Sequence, residues 1–135
     1  MIQWMLKGEL AKSSRPGYGG ERGEPVAKGA VDAWIESIKA VNIRSIICLL
    51  SQDELLMYQS LLKALPDYYL DAGFYVAHIP VTDHQIPPVS RHDLKRIWTD
   101  FQALPKPVLV HCSAGVDRSG AAVCHIQTCL SSTAG

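Results

Sequence analysis

The most constraining feature of this chain is the ten-residue segment 111–120, which reads HCSAGVDRSG. The run before it, residues 107–111, is apolar and β-branched and is bounded by prolines, as is typical of a buried strand. The residues after the segment are small and apolar without breakers, so a helix is expected to begin near Arg118 or Ser119. The sequence therefore predicts a strand, a short loop and a helix, with Cys112 at the carboxyl end of the strand.

Such a loop points backbone N–H groups and the positive end of the following helix toward one position, which suits phosphate. The helix end and the guanidinium of Arg118 both favour thiolate over thiol at Cys112. A thiolate can attack phosphorus while the guanidinium holds two phosphoryl oxygens. Ser119 adds a hydroxyl that can donate to the sulfur, and Gly115 and Gly120 would allow tight backbone turns. The expected phosphate-binding residues are Ser113, Ala114, Gly115, Val116, Asp117 and Arg118.

The pattern His-Cys-x-x-Gly-x-x-Arg-Ser resembles the signature loop of the cysteine-dependent protein tyrosine and dual-specificity phosphatases. The resemblance implies that Cys112 is the nucleophile, that Arg118 binds the phosphoryl group, and that Ser119 eases departure of the sulfur. It also implies that the ring of His111 bonds backbone groups of the loop rather than transferring protons. A cysteine mechanism needs no metal or other cofactor, so we expect none. An aryl phosphate, phosphotyrosine above all, is the best-matched substrate.

Phosphatases of this family also use an acid from an upstream loop, and the segment 79–88, IPVTDHQIPP, supplies Asp83. Asp83 lies 29 residues before Cys112, a spacing that resembles the compact dual-specificity members. Pro-Val-x-Asp followed by proline four residues later is similar to the kinase-associated phosphatase type. The alternative is that Asp83 only forms a side-chain turn before the Pro-Pro pair.

Asp117 leaves the acid and the substrate open. An Asp-Arg pair at this position resembles the loops of myotubularins and of certain secreted bacterial tyrosine and lipid phosphatases, in which the aspartate is a candidate acid. Asp117 either faces solvent or shares or replaces the role of Asp83. We predict Asp83 as the acid and a phosphoprotein as the substrate. The alternatives are a phosphoinositide phosphatase and a phosphate-binding interaction module with little turnover.

Composition excludes some other classes. The chain has 135 residues, 47% of them hydrophobic, which suits a single phosphatase domain over residues 1–135. Thirteen basic and thirteen acidic side chains cancel, so bulk charge indicates neither nucleic acid nor an anionic membrane as partner. No apolar run is long enough to span a bilayer and no export signal is visible, so we expect a cytoplasmic protein. Related phosphatases continue through further helices, so we expect the C-terminus to be minimal or truncated.

Four cysteines, at 48, 112, 124 and 129, include no Cys-x-x-Cys pair, which argues against a zinc site or a disulfide framework. The resemblance implies that a reactive thiolate can be protected by a disulfide with a second cysteine. Cys48 is the candidate redox partner of Cys112, because parallel strands bring their carboxyl ends together. The alternative is that Cys48 is an ordinary buried cysteine.

Hydrophobic periodicity alternates between strand and helix along the chain. Strands are expected at 43–50, 74–80 and 107–111, and helices at 27–40, 51–66, 90–104 and 118–130. Residues 11–25 are rich in Gly, Pro and Ser and are expected to form a loop, part of which, 15–20, could line one wall of the site. This order predicts an α/β fold with a mostly parallel central sheet and helices on both faces. Ligands of such sheets bind at the carboxyl ends of the strands, where Asp83 and Cys112 are both expected.

Overall fold

A computed structural model of the chain describes residues 2–19 and 24–134. Its five-stranded sheet has the order β1-β2-β5-β3-β4. The strands are β1 Gln3–Leu6, β2 Leu10–Ser13, β3 Ser45–Cys48, β4 Tyr75–His78 and β5 Val108–His111. All neighbouring pairs are parallel except β1 with β2. The predicted α/β fold with a mostly parallel sheet is confirmed.

Alternate residues of the buried strands pack on opposite faces of the sheet. On one face, Ile46 and Cys48 contact a cluster that includes the buried residues of α1 Lys28–Ala40 and α3 Leu65–Asp71. On the other face, Ile47 and Val110 pack against α4 Arg91–Ala103 and α5 Asp117–Ala134. Two apolar layers therefore enclose the central strands, as the near-continuous apolar runs of β3 and β5 predict.

The predicted helix over residues 51–66 is wrong in its extent. Ser51 caps only a short helix, α2 Gln52–Leu55, which continues as a single 3₁₀ turn over Leu56–Tyr58. Pro66 does not end a helix but occupies the first turn of α3, where a missing N–H costs nothing. Pro66 does mark a helix boundary, but the boundary is the start of α3 rather than the end of a preceding helix.

The predicted loop over residues 11–25 is also partly wrong, because Ala11 to Ser13 belong to β2, which pairs with β5. Strand β1 was not predicted either. Residues 20–23 of the predicted loop lie outside the described residues. Strand β2 is short and ends in Lys12 and Ser13, so its sequence has no clear strand pattern, although Leu10 and Ala11 are fully buried and the strand pairs with β5.

The other predicted helices agree closely with the structure. Ser90 caps α4, and its Oγ accepts a hydrogen bond from the Asp93 amide at 3.1 Å. Helix α5 begins one residue before the predicted start, at Asp117. Within the described residues, no helix combines the length and the apolar character that crossing a membrane requires.

The last residue of β5, His111, is fully buried against aromatic rings. Its Nδ1 lies 3.0 Å from the Cys112 carbonyl oxygen and its Nε2 lies 2.9 Å from the Tyr69 hydroxyl. Since a carbonyl only accepts, Nδ1 carries the proton and Nε2 accepts from Tyr69. Burial lowers the pKa of His111 to about 4 and raises the pKa of Tyr69 well above its ordinary value. The ring is therefore neutral and bonds the loop backbone, as predicted.

We expect the protein to lose stability as the pH falls from about 6.5 to about 4. In this window the unfolded chain protonates His111 (ordinary pKa about 6.5) and the folded chain does not, so the unfolded state binds more protons. The loss of unfolding free energy from this group is up to about 3 kcal/mol. Urea unfolding at pH 7 and pH 4.5 measures it. His111→Asn, which retains a donor but does not titrate, should show a shallower pH dependence; an unchanged dependence would contradict this assignment.

Candidate active site

The loop from Cys112 to Asp117 joins β5 to α5 and is shaped by close contact with the backbone after β2. Gly115 has φ +78°, and a Cβ there would lie 2.7 Å from the Ser13 carbonyl carbon and the Ser14 nitrogen. Only glycine fits that position. Gly120, in contrast, lies inside α5 with its amide donating to the Val116 carbonyl at 2.9 Å. A Cβ there would meet, outside the helix backbone, only Lys12 Nζ at 4.0 Å. The predicted turn at Gly120 is wrong.

The loop lines a cavity together with residues that follow β2 and β4. Residues 113–116 precede α5 and Asp117 is its first residue. Among the described residues, the backbone amides of 113–117 have no hydrogen-bond acceptor. The cavity has a volume of about 410 Å³, and its lining includes Cys112, Ser113, Ala114, Val116, Asp117 and Arg118. Free amides at the end of a helix are suited to an anion. All predicted phosphate-binding residues except Gly115 therefore line this one cavity.

Cys112 lies at the floor of the cavity and is 2% exposed. Its Sγ lies 3.4 Å from Oγ of Ser119, which is also buried. In the thiolate form the hydroxyl is the donor of this hydrogen bond. The geometry places a nucleophile where a ligand in the cavity can meet it and a hydroxyl where it can stabilise negative charge on sulfur.

Arg118 is 1% exposed, and its guanidinium is held by groups from two other loops. Glu54 accepts hydrogen bonds from NH1 and NH2 at 2.5 and 2.9 Å, in a bidentate pair. The carbonyl of Val81 accepts from NH1 at 2.8 Å, and that of Leu49 at 3.4 Å. Burial opposes the charge, but Glu54 and Asp83 outweigh it and raise the pKa of Arg118. The guanidinium is a permanent, oriented cation.

Glu54, which pairs with Arg118, was not among the predicted site residues. Its Oε1 accepts from the Ser51 amide at 3.0 Å, and Ser51 Oγ accepts from the Glu54 amide, so the two form a capping box. Burial would raise the pKa of Glu54, but the bonds to Arg118 and Ser51 lower it below its ordinary value. The Ser-x-x-Glu pattern was visible in the sequence, but nothing in it indicated a partner 64 residues away.

Asp83 follows β4 and lines the same cavity. Its Oδ1 lies 3.4 Å from Nε of Arg118, which makes no hydrogen bond and is the one such buried side-chain atom found in the described residues. Oδ1 also accepts from the His84 amide at 2.9 Å, and His84 is in the left-handed region with φ +60°. The carboxylate therefore bonds the next amide of its own loop and also reaches the site.

Asp117 is an exposed residue in the first turn of α5, and it lines the same cavity. The structure therefore brings both candidate acids, Asp83 and Asp117, to the site. Asp83 contacts Arg118, whereas Asp117 forms no ion pair with any described residue. The assignment of the acid to Asp83 stays a prediction.

The cysteines at 48, 112, 124 and 129 are free thiols. Cys48 is fully buried and packs on one face of the sheet, while Cys112 packs in the cluster on the other. Burial raises the pKa of Cys48 to about 12, so it is a thiol at neutral pH. Its role as redox partner of Cys112 stays a prediction. No cluster of His, Cys, Asp or Glu in the described part of the chain is arranged to hold a metal ion.

Comparison with solved structures identifies the same architecture in known phosphatases. A kinase-associated phosphatase with serine in place of its catalytic cysteine superposes with a TM-score of 0.66 and 20% identity, over 88% of this chain and 65% of that one. Two crystal structures of a DUF442 protein from Shewanella putrefaciens CN-32, provisionally assigned as a phosphatase, give TM-scores of 0.63 and 0.61 at 22% identity. They cover 93% and 92% of this chain and 66% and 68% of theirs. The chain thus spans about two thirds of each relative, and at these identities the likeness shows the fold alone.

No curated protein matches the sequence. A family model does: the one described as "Tc-R-P: Polymorphic toxin system, DSP-PTPase phosphatase" matches residues 22–129. This span contains β3, β4 and β5, the capping box of α2, both candidate acids and the whole loop after β5. The chain therefore belongs to this family of DSP-PTPase phosphatases.

Proposed function

We propose that this phosphatase hydrolyses phosphotyrosine in proteins through a phosphocysteine intermediate. The observation that carries the proposal is that one cavity of about 410 Å³ is lined by Cys112, Arg118 and Asp83. A nucleophile, a phosphate-binding cation and a carboxylic acid are the three groups that this reaction needs.

In the first step the thiolate of Cys112 attacks phosphorus and the bond from phosphorus to the tyrosyl oxygen breaks. The leaving oxygen takes the bond's electron pair and receives a proton from Asp83. The guanidinium of Arg118 and the amides of residues 113–117 hold the three equatorial oxygens, where negative charge spreads in the transition state. The products are tyrosine and a phosphocysteine.

In the second step water attacks the phosphocysteine and the sulfur–phosphorus bond breaks. The carboxylate of Asp83 takes a proton from the water, and inorganic phosphate leaves. The Ser119 hydroxyl, 3.4 Å from Cys112 Sγ, donates to the departing sulfur and stabilises the returning thiolate. Asp83 and Cys112 thus return to their starting protonation states.

Depth and wall chemistry support phosphotyrosine over shorter phosphorylated residues. Cys112 is 2% exposed at the floor of the cavity, so a phosphoryl group must be carried on a long side chain to reach it. The wall includes Tyr18, 54% exposed, and the exposed Val116, which give an aryl ring apolar surface. Phosphoserine and phosphothreonine would reach the sulfur less well, so they are proposed as poorer substrates.

The same site could serve a phosphoinositide phosphatase or a binding module. Asp117 adds negative charge at the cavity, which disfavours a highly anionic lipid headgroup. A binding module would need no acid, yet Asp83 lies 3.4 Å from Arg118 in the cavity. The family description supports a role in a polymorphic toxin system. The proposed substrates are phosphoproteins, and the proposed location is the cytoplasm.

Hydrolysis of para-nitrophenyl phosphate between pH 5 and 8 without metal tests the mechanism. Cys112→Ser should abolish turnover, and Asp83→Asn should lower kcat by roughly 10²-fold or more. Cys124→Ser, at an exposed cysteine of α5, is the matched control and should be as active as the unaltered chain.

Two results would overturn this assignment. If Asp83→Asn is harmless and Asp117→Asn is impaired, Asp117 is the acid. If the unaltered chain binds vanadate but releases no nitrophenol, the chain is a binding module.

Glu54→Gln should lower kcat/KM by about 10- to 100-fold, the range expected when a hydrogen bond to a charged group is weakened. Glutamine can still complete the capping box, so α2 should keep its cap while Arg118 loses one of its two carboxylate partners. Asp53→Asn, in the same helical turn without contact to Arg118, is the control. In an Arg118→Lys background, Glu54→Gln should add little. A full additional loss there would show that Glu54 does not act through Arg118.

Peptides that differ only in their phosphorylated residue test the preference for phosphotyrosine. We expect kcat/KM for the phosphoserine peptide to be at least about tenfold lower, because its phosphoryl group reaches Cys112 less well. Release of inorganic phosphate measures both rates. Equal or faster hydrolysis of phosphoserine would remove the preference.

A further inference from the structure

We propose that Arg15 forms a second anion-binding subsite, which accepts an acidic residue next to the phosphotyrosine of a peptide substrate. The inference deepens the proposed function and rests on it. Arg15 belongs to a strap, residues 14–19, that follows β2 and runs along one wall of the cavity.

The strap is fixed by two hydrogen bonds to the phosphate-binding loop and by one from α1. The Arg15 amide donates to the Ser113 carbonyl at 2.8 Å, and Arg15 Nε donates to Ser113 Oγ at 3.2 Å. Trp34 Nε1 donates to the Ser14 carbonyl at 3.2 Å. These bonds hold the Arg15 side chain beside the phosphoryl position rather than leaving it to solvent.

The far side of the guanidinium is oriented as well. Its NH1 lies 3.4 Å from the Pro16 carbonyl and 3.4 Å from the Tyr58 hydroxyl, which itself donates to Pro16 at 2.7 Å. The carbon at its centre lies 5.6 Å from the ring centroid of Tyr18, within the range of a cation–π contact. A partly buried, oriented guanidinium loses less conformational freedom on binding an anion than a free one does.

The two arginines of the cavity differ in how their charge is balanced. Arg118 has carboxylate partners in Glu54 and Asp83. Among the described residues, no carboxylate lies within ion-pair distance of Arg15. Every partner of Arg15 in the structure is a neutral oxygen or a ring. Arg15 is therefore the cation of the cavity that has an anion still to bind.

The remaining charges at the cavity give the subsite a direction. Asp83, His84 and Asp117 also line it. Asp117 would repel an acidic neighbour of the phosphotyrosine on its own side, whereas Arg15 would attract one beside the strap. The peptide is favoured over a bisphosphorylated inositol because two carboxylates already face the cavity and the strap presents the aromatic ring of Tyr18. We therefore expect a preference for an acidic residue at one position of the peptide and not at every position.

Matched phosphotyrosine peptides test this subsite. The peptides vary the residue directly before and the residue directly after the phosphotyrosine, one position at a time. At each position an Asp peptide is paired with an Asn peptide, and kcat/KM is measured for both. At one position the Asp peptide should be favoured about fivefold, corresponding to ~1 kcal/mol for a partly exposed ion pair. Arg15→Gln should bring this ratio to about one, Arg15→Lys should keep part of it, and added salt should reduce it.

The ratio separates the subsite from a structural role, because loosening the phosphate-binding loop would slow both peptides of a pair equally. Arg44→Gln is the matched control, since Arg44 is exposed and precedes β3 at the opposite end of the sheet. It should leave the ratio unchanged. A ratio of one in the unaltered chain, or a ratio that survives Arg15→Gln, would overturn the subsite while leaving the phosphatase proposal intact.

The failure of the proposed function has a different signature, which is that neither peptide nor para-nitrophenyl phosphate is hydrolysed. A water-soluble inositol bisphosphate serves as the second probe. If Arg15→Gln slows its hydrolysis and leaves the peptide ratio unchanged, the peptide subsite is overturned and a second phosphate is the anion that Arg15 binds.

Discussion

The arrangement of the site depends on one buried cation, the guanidinium of Arg118. A charge that is 1% exposed is costly to bury unless its hydrogen bonds are satisfied. Its hydrogen bonds go to Glu54 and the Leu49 carbonyl after β3 and to the Val81 carbonyl after β4. Asp83, also after β4, adds an ion pair to Nε, which makes no hydrogen bond. The loops after three neighbouring strands are therefore tied to one side chain. A single interaction network sets the relative positions of Asp83, Arg118 and the loop that carries Cys112.

A second constraint is the close approach of two backbone segments. Gly115 lies against the backbone of Ser13 and Ser14, where a Cβ would be 2.7 Å from the nearest atoms. Pairing of β2 with β5 continues into this contact, since Ser13 is in register with His111. The loop from Cys112 to Asp117 thus takes its shape partly from β2, the strand before the strap. Residues of the same loop on the other side line the cavity.

Some elements of the fold can be predicted from local sequence patterns, and others cannot. The strand, loop and helix around Cys112, the helix starts near Ser51 and Ser90 and the α/β order were all predicted, because they depend on residues close together in the chain. Strand β2 and the start of α3 at Pro66 were misassigned. The first depends on a distant partner strand, and the second on a proline that either ends one helix or begins the next.

The chain itself encodes the chemistry: a cysteine, an arginine and a serine at fixed spacing, and a glycine where the loop must turn. Tertiary structure decides which other groups meet them. Glu54 lies in a capping-box pattern and Arg15 in a polar loop. Neither local pattern indicates which distant residue the side chain contacts. Their contacts with Arg118 and Ser113 span 64 and 98 residues. Separations of that size are closed by sheet pairing and core packing, which no local pattern specifies.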